Sequence, residues 1–80
     1  MFTDYEFREY AERYTQGIMR LVKAGVLSGA FRKRSDLKEY MDGVKEFLVD
    51  AADTSSQVTL AYEYAMDFAL EAVEYLEDHR

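Results

Sequence analysis

The residues best able to do chemistry are carboxylates that recur through the last third of the chain. Five of them stand three or four residues apart, the spacing of side chains on one face of a helix: Glu63, Asp67, Glu71, Glu74 and Asp78. Carboxylates grouped in this way bind metal ions, transfer protons or attract the cations of another surface. We call these five residues the acidic strip. No lysine or arginine occurs between Glu46 and His79, so this part of the sequence supplies no cation of its own.

Metal and catalytic chemistry find little support in the rest of the sequence. Carboxylate-bridged metal sites in helical bundles use inward-pointing Glu-x-x-His pairs, whereas this chain has one histidine, His79, and no cysteine. The four serines fall where helix caps or loops are expected, and capping explains them. We therefore expect no catalytic residue, no metal and no cofactor.

The acidic strip carries an energetic cost. Like charges four residues apart on a helix are unfavourable by roughly 0.2–0.5 kcal/mol per pair, and acids in the last turn oppose the helix dipole by about 0.3–1 kcal/mol each. The sum is on the order of 2 kcal/mol, which matters in a small domain. Local rules broken without visible compensation are typical of functional surfaces. The strip is therefore interpreted as a partner-binding surface, with an ordinary solvated face as the alternative.

Aromatic residues follow one border of the acidic strip. On a helical wheel, Tyr64, Phe68 and Tyr75 occupy the positions that two neighbouring helices would cover least. Because tyrosine is enriched at protein interfaces, these three side chains are predicted to contact the same partner. Ordinary packing is the alternative interpretation.

The densest group of cations is Arg32, Lys33 and Arg34. Two uses stay open for this segment: pairing with the acidic strip inside the chain, or binding a phosphate, a nucleotide or another anion. The segment lacks the glycine-rich spacing of a phosphate cradle, so the second use rests on charge alone.

Three helices are predicted to position these residues, at about 4–24, 36–52 and 55–78. Thr3 and Glu6 form a capping-box pattern before the first helix, and Phe2 with Phe7 fits a hydrophobic staple. Gly25 is the expected stop of this helix.

The later helix ends are marked in the same way. Ser35 or Asp36 is the expected cap of the second helix, with Glu39 completing a box from Asp36, and Thr54 with Gln57 forms a box before the third. Between the first two helices, Val26, Leu27 and Phe31 allow one short extra helical turn.

Apolar residues form a core-facing stripe on each of the first two helices. The expected core residues are Phe7, Tyr10, Ala11, Tyr14, Ile18, Leu21 and Val22 on the first and Leu37, Tyr40, Met41, Val44, Phe47, Leu48, Ala51 and Ala52 on the second. Tyr5 and Met19 lie off the first stripe and hint at a second apolar patch.

The third helix differs, since its apolar arc spans roughly 240° around the wheel. Such a helix is central, or is buried against another chain. Its ridge of Ala61, Ala65, Ala69 and Ala72 either packs inside the fold or forms a homodimer. The fold class is all-α, an antiparallel three-helix bundle that forms a single domain over residues 1–80.

Composition limits the classes of partner. The net charge of −6 argues against direct binding to nucleic acid. No apolar run approaches the roughly 18 residues of a membrane span, and the charged N-terminus lacks a signal-peptide core, so a cytoplasmic location without membrane contact is expected.

The favoured function is a stoichiometric inhibitor or regulator whose acidic and aromatic helix face occupies a basic surface of a partner protein. In size, charge and lack of catalytic residues, the whole chain resembles phage-encoded anti-CRISPR and antirestriction proteins, although no motif carries the likeness. This resemblance implies a product of a phage or mobile element that blocks a nucleic-acid-binding complex by mimicking its ligand. Acidic regulators of bacterial transcription or of toxins share the profile. The alternatives are a self-associating helical adaptor and an anion binder that uses Arg32, Lys33 and Arg34.

Overall fold

Three helices account for most of the chain in the computed structural model, which describes residues 1–79. They are α1 (Asp4–Leu27), α2 (Arg34–Ala51) and α3 (Ser55–Asp78). α3 packs extensively against both other helices, whereas α1 and α2 touch each other much less. The predicted all-α antiparallel three-helix bundle is therefore confirmed, with α3 as its central element. Within residues 1–79, no helix has the length and apolar character needed to cross a membrane.

α1 begins as the sequence predicted. The Thr3 hydroxyl accepts a hydrogen bond from the Glu6 backbone N–H at 3.1 Å, and the Glu6 carboxylate accepts one from the Thr3 N–H at 2.9 Å. The rings of Phe2 and Phe7 meet edge to face with centroids 6.3 Å apart. The capping box and the hydrophobic staple are both confirmed.

α1 ends later than predicted, at Leu27, and runs through Gly25 without interruption. The reversal comes at Gly29, whose φ of +83° lies in the left-handed region that glycine tolerates best. Gly25 has another role, because a Cβ there would lie 2.5 Å from the ring of Phe31. The expected stop at Gly25 and the separate extra turn are therefore both wrong, since Val26 and Leu27 belong to α1.

α2 also begins earlier than predicted, with Lys33 as the N-cap instead of Ser35 or Asp36. The Asp36 carboxylate accepts hydrogen bonds from the backbone N–H groups of Arg32 at 2.8 Å and Lys33 at 3.1 Å. The hydrogen bond from Arg32, and to a smaller extent the one from Lys33, hold the pKa of the Asp36 carboxyl below its usual value. Asp36 is thus the third residue of α2 and bonds back to the N–H of the N-cap Lys33, as the acid of a capping box does, instead of being the N-cap itself.

The core lies along α3, and this changes which residues of α1 and α2 are buried. Met19 is 5% exposed, whereas Leu21, expected in the core, is 55% exposed. Tyr40 and Phe47 are 36% and 45% exposed for the same reason. α1 and α2 each direct their buried side chains toward α3. The apolar residues on the sides where α1 and α2 face each other therefore remain partly exposed to solvent.

Candidate partner-binding surface

The acidic strip lies on the side of α3 that points away from the core. All five of its residues are exposed. Among residues 1–79, no lysine, arginine or histidine nitrogen forms a salt bridge within 4 Å of their carboxylates. The like-charge cost inferred from the sequence therefore has no direct ion pair to offset it in the described part of the chain.

Two cations of α1 nevertheless lie across a groove from the strip. The groove between α1 and α3 encloses about 380 Å³, with Arg20 and Lys23 in the α1 wall and Asp67 and Glu71 in the α3 wall. Arg20 and Lys23 therefore screen the charges of Asp67 and Glu71 from the α1 side only. Sequence reasoning missed it, because it looked for compensation in the densest cation cluster instead of in the α1 residues that face α3.

The tyrosines predicted to contact a partner line the α1 side of α3 and are half-buried. Tyr64 lines the groove, while the Lys23 ammonium lies 5.5 Å from the centroid of the Tyr75 ring. The His79 ring stacks on the Tyr75 ring, with the two ring centroids 3.9 Å apart. Tyr64 and Tyr75 thus border the acidic strip as expected, although α1 covers part of each.

Phe68 is a correction. It was predicted to be among the least covered positions of α3, but only 2% of it is exposed and it belongs to the core. It lines the floor of the groove beside Met19. Since Met19 is buried against α3 and not outside the core stripe, α1 covers Phe68 and removes it from any partner contact.

The exposed apolar surface of α3 lies on the opposite border of the acidic strip. Tyr62, Met66 and Leu70 follow one another at four-residue intervals and are 48%, 65% and 64% exposed. We call these three the apolar row. The Lys45 ammonium lies 5.7 Å from the Tyr62 ring centroid and marks the α2 edge of the row. The wide apolar arc of α3 signalled such a surface, but only the packing shows which border stays uncovered.

The Arg32–Lys33–Arg34 segment does not pair with the acidic strip. Arg34 forms a 2.6 Å salt bridge with Glu77, which is not a member of the strip, and the Arg32 Nε donates to the Gly29 carbonyl at 3.0 Å. The backbone N–H groups of Arg32 and Lys33 donate to the Asp36 carboxylate. The structure thus directs Arg32 and Arg34 to different partners.

The alanine ridge packs inside the fold. Ala61, Ala65 and Ala72 are buried at 0%, 6% and 0% exposure and belong to the core, while Ala69 is half-buried. Small side chains here let α1 and α2 approach α3 closely. A homodimer through this ridge is therefore wrong.

Within residues 1–79, no group of three or more histidine, cysteine, aspartate or glutamate side chains is arranged to hold a metal ion. Comparisons with protein-family models, with curated proteins and with solved structures give no match to this chain.

Proposed function

We propose that the chain is a non-catalytic binding protein that uses the outward side of α3 to occupy a basic surface of a partner protein. The observation that carries the proposal is the placement of the exposed acidic strip directly beside the exposed apolar row. A surface that is acidic along one edge and apolar along the next is complementary to a cationic surface that also carries apolar side chains.

The spacing of charges along the acidic strip indicates how well it could compete with nucleic acid for a basic surface. Five carboxylates between Glu63 and Asp78 cover roughly 22 Å of helix, or one charge per ~5 Å. A single nucleic-acid strand carries one phosphate per ~3.4 Å of axis, so the strip alone is the weaker competitor for a nucleic-acid-binding surface.

The apolar row supplies what the strip lacks. Burial of Met66 and Leu70, each about two-thirds exposed now, would contribute roughly 1–2 kcal/mol per side chain. Nucleic-acid backbone offers no equivalent contact. The combination therefore favours a stoichiometric inhibitor or regulator that competes with nucleic acid for its protein partner.

The test is affinity capture from a lysate of the organism that encodes the chain, with three versions of the bait. The first is the natural chain. The second carries Lys in place of Glu63, Asp67 and Glu74. The third is a control of equal charge change, with Lys in place of Glu9, Asp42 and Glu46, which are exposed on α1 and α2.

We expect a basic protein that the natural chain and the control both retain and the strip variant loses. Binding of that protein, once purified, should weaken with added salt, and nucleic acid should displace the chain from it. Equal retention by the strip variant and the control, or binding that ignores salt, would contradict the proposal. Circular dichroism of all three chains establishes that each is folded.

A further inference from the structure

A second apolar surface lies on the opposite side of the molecule, along the seam where α1 and α2 face each other. Here Tyr14 stacks on Phe47 with centroids 4.3 Å apart, and Tyr10 reaches the same ring at 6.0 Å. Leu21 and Tyr40 extend the apolar surface toward the other end and are 55% and 36% exposed. Nothing in the described chain covers this seam, because α3 packs on the far side of both helices.

Concave surfaces flank the Tyr14–Phe47 stack. One, of about 390 Å³, is lined by Tyr14, Ile18, Tyr40 and Gly43 together with Glu39. The other, of about 580 Å³, includes Arg13 and Glu9 at its α1 edge. The seam is thus an aromatic groove with charged residues along both rims.

The two rims carry opposite charge. The middle of the α1 rim bears Arg13. The α2 rim bears the exposed acids Glu39, Glu46 and Asp50, while Asp42 pairs with Lys38 at 2.7 Å. Glu9 is the acid nearest Arg13 on the α1 rim, one turn before it.

Glycines stand in the middle of both helices that form the seam. Gly17 and Gly43 lie inside α1 and α2, although glycine in a helix interior costs about 1 kcal/mol relative to alanine. A Cβ at either position would meet nothing within 4 Å. Packing inside the chain therefore gives no reason for either glycine, whereas close approach of an outside helix would.

We propose that the α1–α2 seam is a homodimer interface in which two copies pack face to face about a two-fold axis parallel to the helices. This axis places α1 of each copy over α2 of the other, so that the positive rim meets the acidic rim twice. A two-fold axis across the helices would instead place α1 on α1 and α2 on α2, which brings the two acidic rims together.

The register inside the chain sets which charges meet. Because α1 and α2 are antiparallel and Tyr14 lies beside Phe47, Arg13 is level with position 48 of α2. In the dimer, Arg13 of one copy lies between Glu46 and Asp50 of the other. By the same register, Glu9 of one copy is a like-charge neighbour of Asp50 of the other.

The size of the face suits a dimer. The seam follows the helices, and the Cα atoms extend over 39 Å in this longest direction, a length that allows burial of the ~800 Å² of accessible surface per partner found in a standard stable interface. Burial of the aromatic groove supplies the affinity, while the exposed rim pairs set the orientation. The acidic strip stays accessible, since it lies on the opposite side of the molecule.

The test is sedimentation equilibrium of the full chain from low micromolar to millimolar concentration. We expect a monomer–dimer equilibrium that Leu21→Asp shifts toward monomer by roughly a hundredfold or more in dissociation constant, because it places two charges in the apolar groove. Leu70→Asp is the matched control, since Leu70 is 64% exposed on α3 and its replacement should leave the equilibrium unchanged.

A charge swap tests the orientation. Arg13→Asp and Asp50→Arg should each weaken the dimer by roughly tenfold, as the two-fold axis counts every rim pair twice. The double variant should recover most of the loss. A strict monomer, a dimer sensitive to Leu70→Asp but not to Leu21→Asp, or a double variant no better than the single ones would each overturn the proposal.

Discussion

Gln57 ties the first residues of the sequence to the start of α3. It is 1% exposed, and its amide oxygen accepts from the Asp53 N–H at 2.9 Å. Its amide nitrogen donates to the Phe2 carbonyl at 2.7 Å. The sequence predicted Gln57 as part of a capping box, and the Thr54 hydroxyl does accept from its N–H at 3.2 Å. The side chain, however, is used for long-range contacts.

Replacement of Gln57 by alanine should destabilise the protein by about 1–3 kcal/mol, since it leaves the Phe2 carbonyl and the Asp53 N–H without partners. Urea denaturation followed by circular dichroism measures this change. Gln16→Ala is the matched control, because Gln16 is exposed on α1 and its replacement should change the free energy of unfolding by less than ~0.5 kcal/mol. Equal effects of the two substitutions would contradict the role assigned to Gln57.

Glu6 makes stability depend on pH. The hydrogen bond from the Thr3 N–H, and then its contact with the Thr3 side chain, lower the pKa of the Glu6 carboxyl. A carboxyl whose pKa is lower in the folded state stabilises the fold above its unfolded pKa of about 4.3 and loses that contribution as pH falls through the folded value.

The melting curves of the natural chain and of Glu6→Gln should therefore converge as pH falls below about 4.3. Thr54→Ala is the comparison, because it removes the cap of α3 without removing a titrating group. It should lower stability by about 1 kcal/mol at every pH. A constant difference between the natural chain and Glu6→Gln across the acid range would exclude this contribution of Glu6.

At the scale of the helices, replacement of glycine by alanine should change stability in opposite directions, because the surroundings of the glycines differ. Gly25→Ala places a Cβ within 2.5 Å of the Phe31 ring and should be less stable than Gly17→Ala by ~1–3 kcal/mol, because Phe31 must leave its position. Gly17→Ala and Gly43→Ala should stabilise the monomer by about 0.5–1 kcal/mol through helix propensity. Thermal unfolding at low protein concentration measures the stability of all three variants. A Gly25→Ala variant that is more stable than the natural chain would contradict the packing assigned to Phe31.

The helices themselves could be predicted closely because their signals are local. The third was predicted with the bounds that the structure has, and the Thr3–Glu6 box was confirmed because both partners lie within one turn. The prediction placed the end of α1 at Gly25, because the sequence does not distinguish a glycine that ends a helix from one that makes room for a neighbouring side chain, here Phe31.

Which helix covers which side could not be read from the sequence. The wheel identified the acidic strip of α3 and its wide apolar arc, but the choice between its two borders depends on how α1 docks. The prediction took the border with Phe68, which α1 buries, and missed the border with Met66 and Leu70. The same information was lacking for Leu21 and Met19, since the exposure of Leu21 and the burial of Met19 both follow from α1 turning toward α3.

At the scale of the whole molecule, the acidic strip should lower stability. Neutralisation of Glu63, Asp67 and Glu74 as Gln, Asn and Gln removes like-charge pairs four residues apart and should stabilise the fold by about 1 kcal/mol. The same three changes should weaken capture of the proposed partner. Denaturation with and without added salt measures the first effect, and the gain should shrink at high salt as screening takes over. A loss of stability at low salt would show that the groove cations already outweigh the repulsion.

The dominance of α3 in the packing has a consequence for how the protein is made. Both large helix contacts, and the strap from Phe2 to Gln57, need residues of α3 and its start, which are translated after α1 and α2. A nascent chain that ends before α3 holds two helices with little to bind each other and an aromatic seam open to solvent. Vectorial synthesis therefore delays folding of the bundle until α3 emerges, and a stall before residue 55 should yield a species that chaperones or proteases recognise.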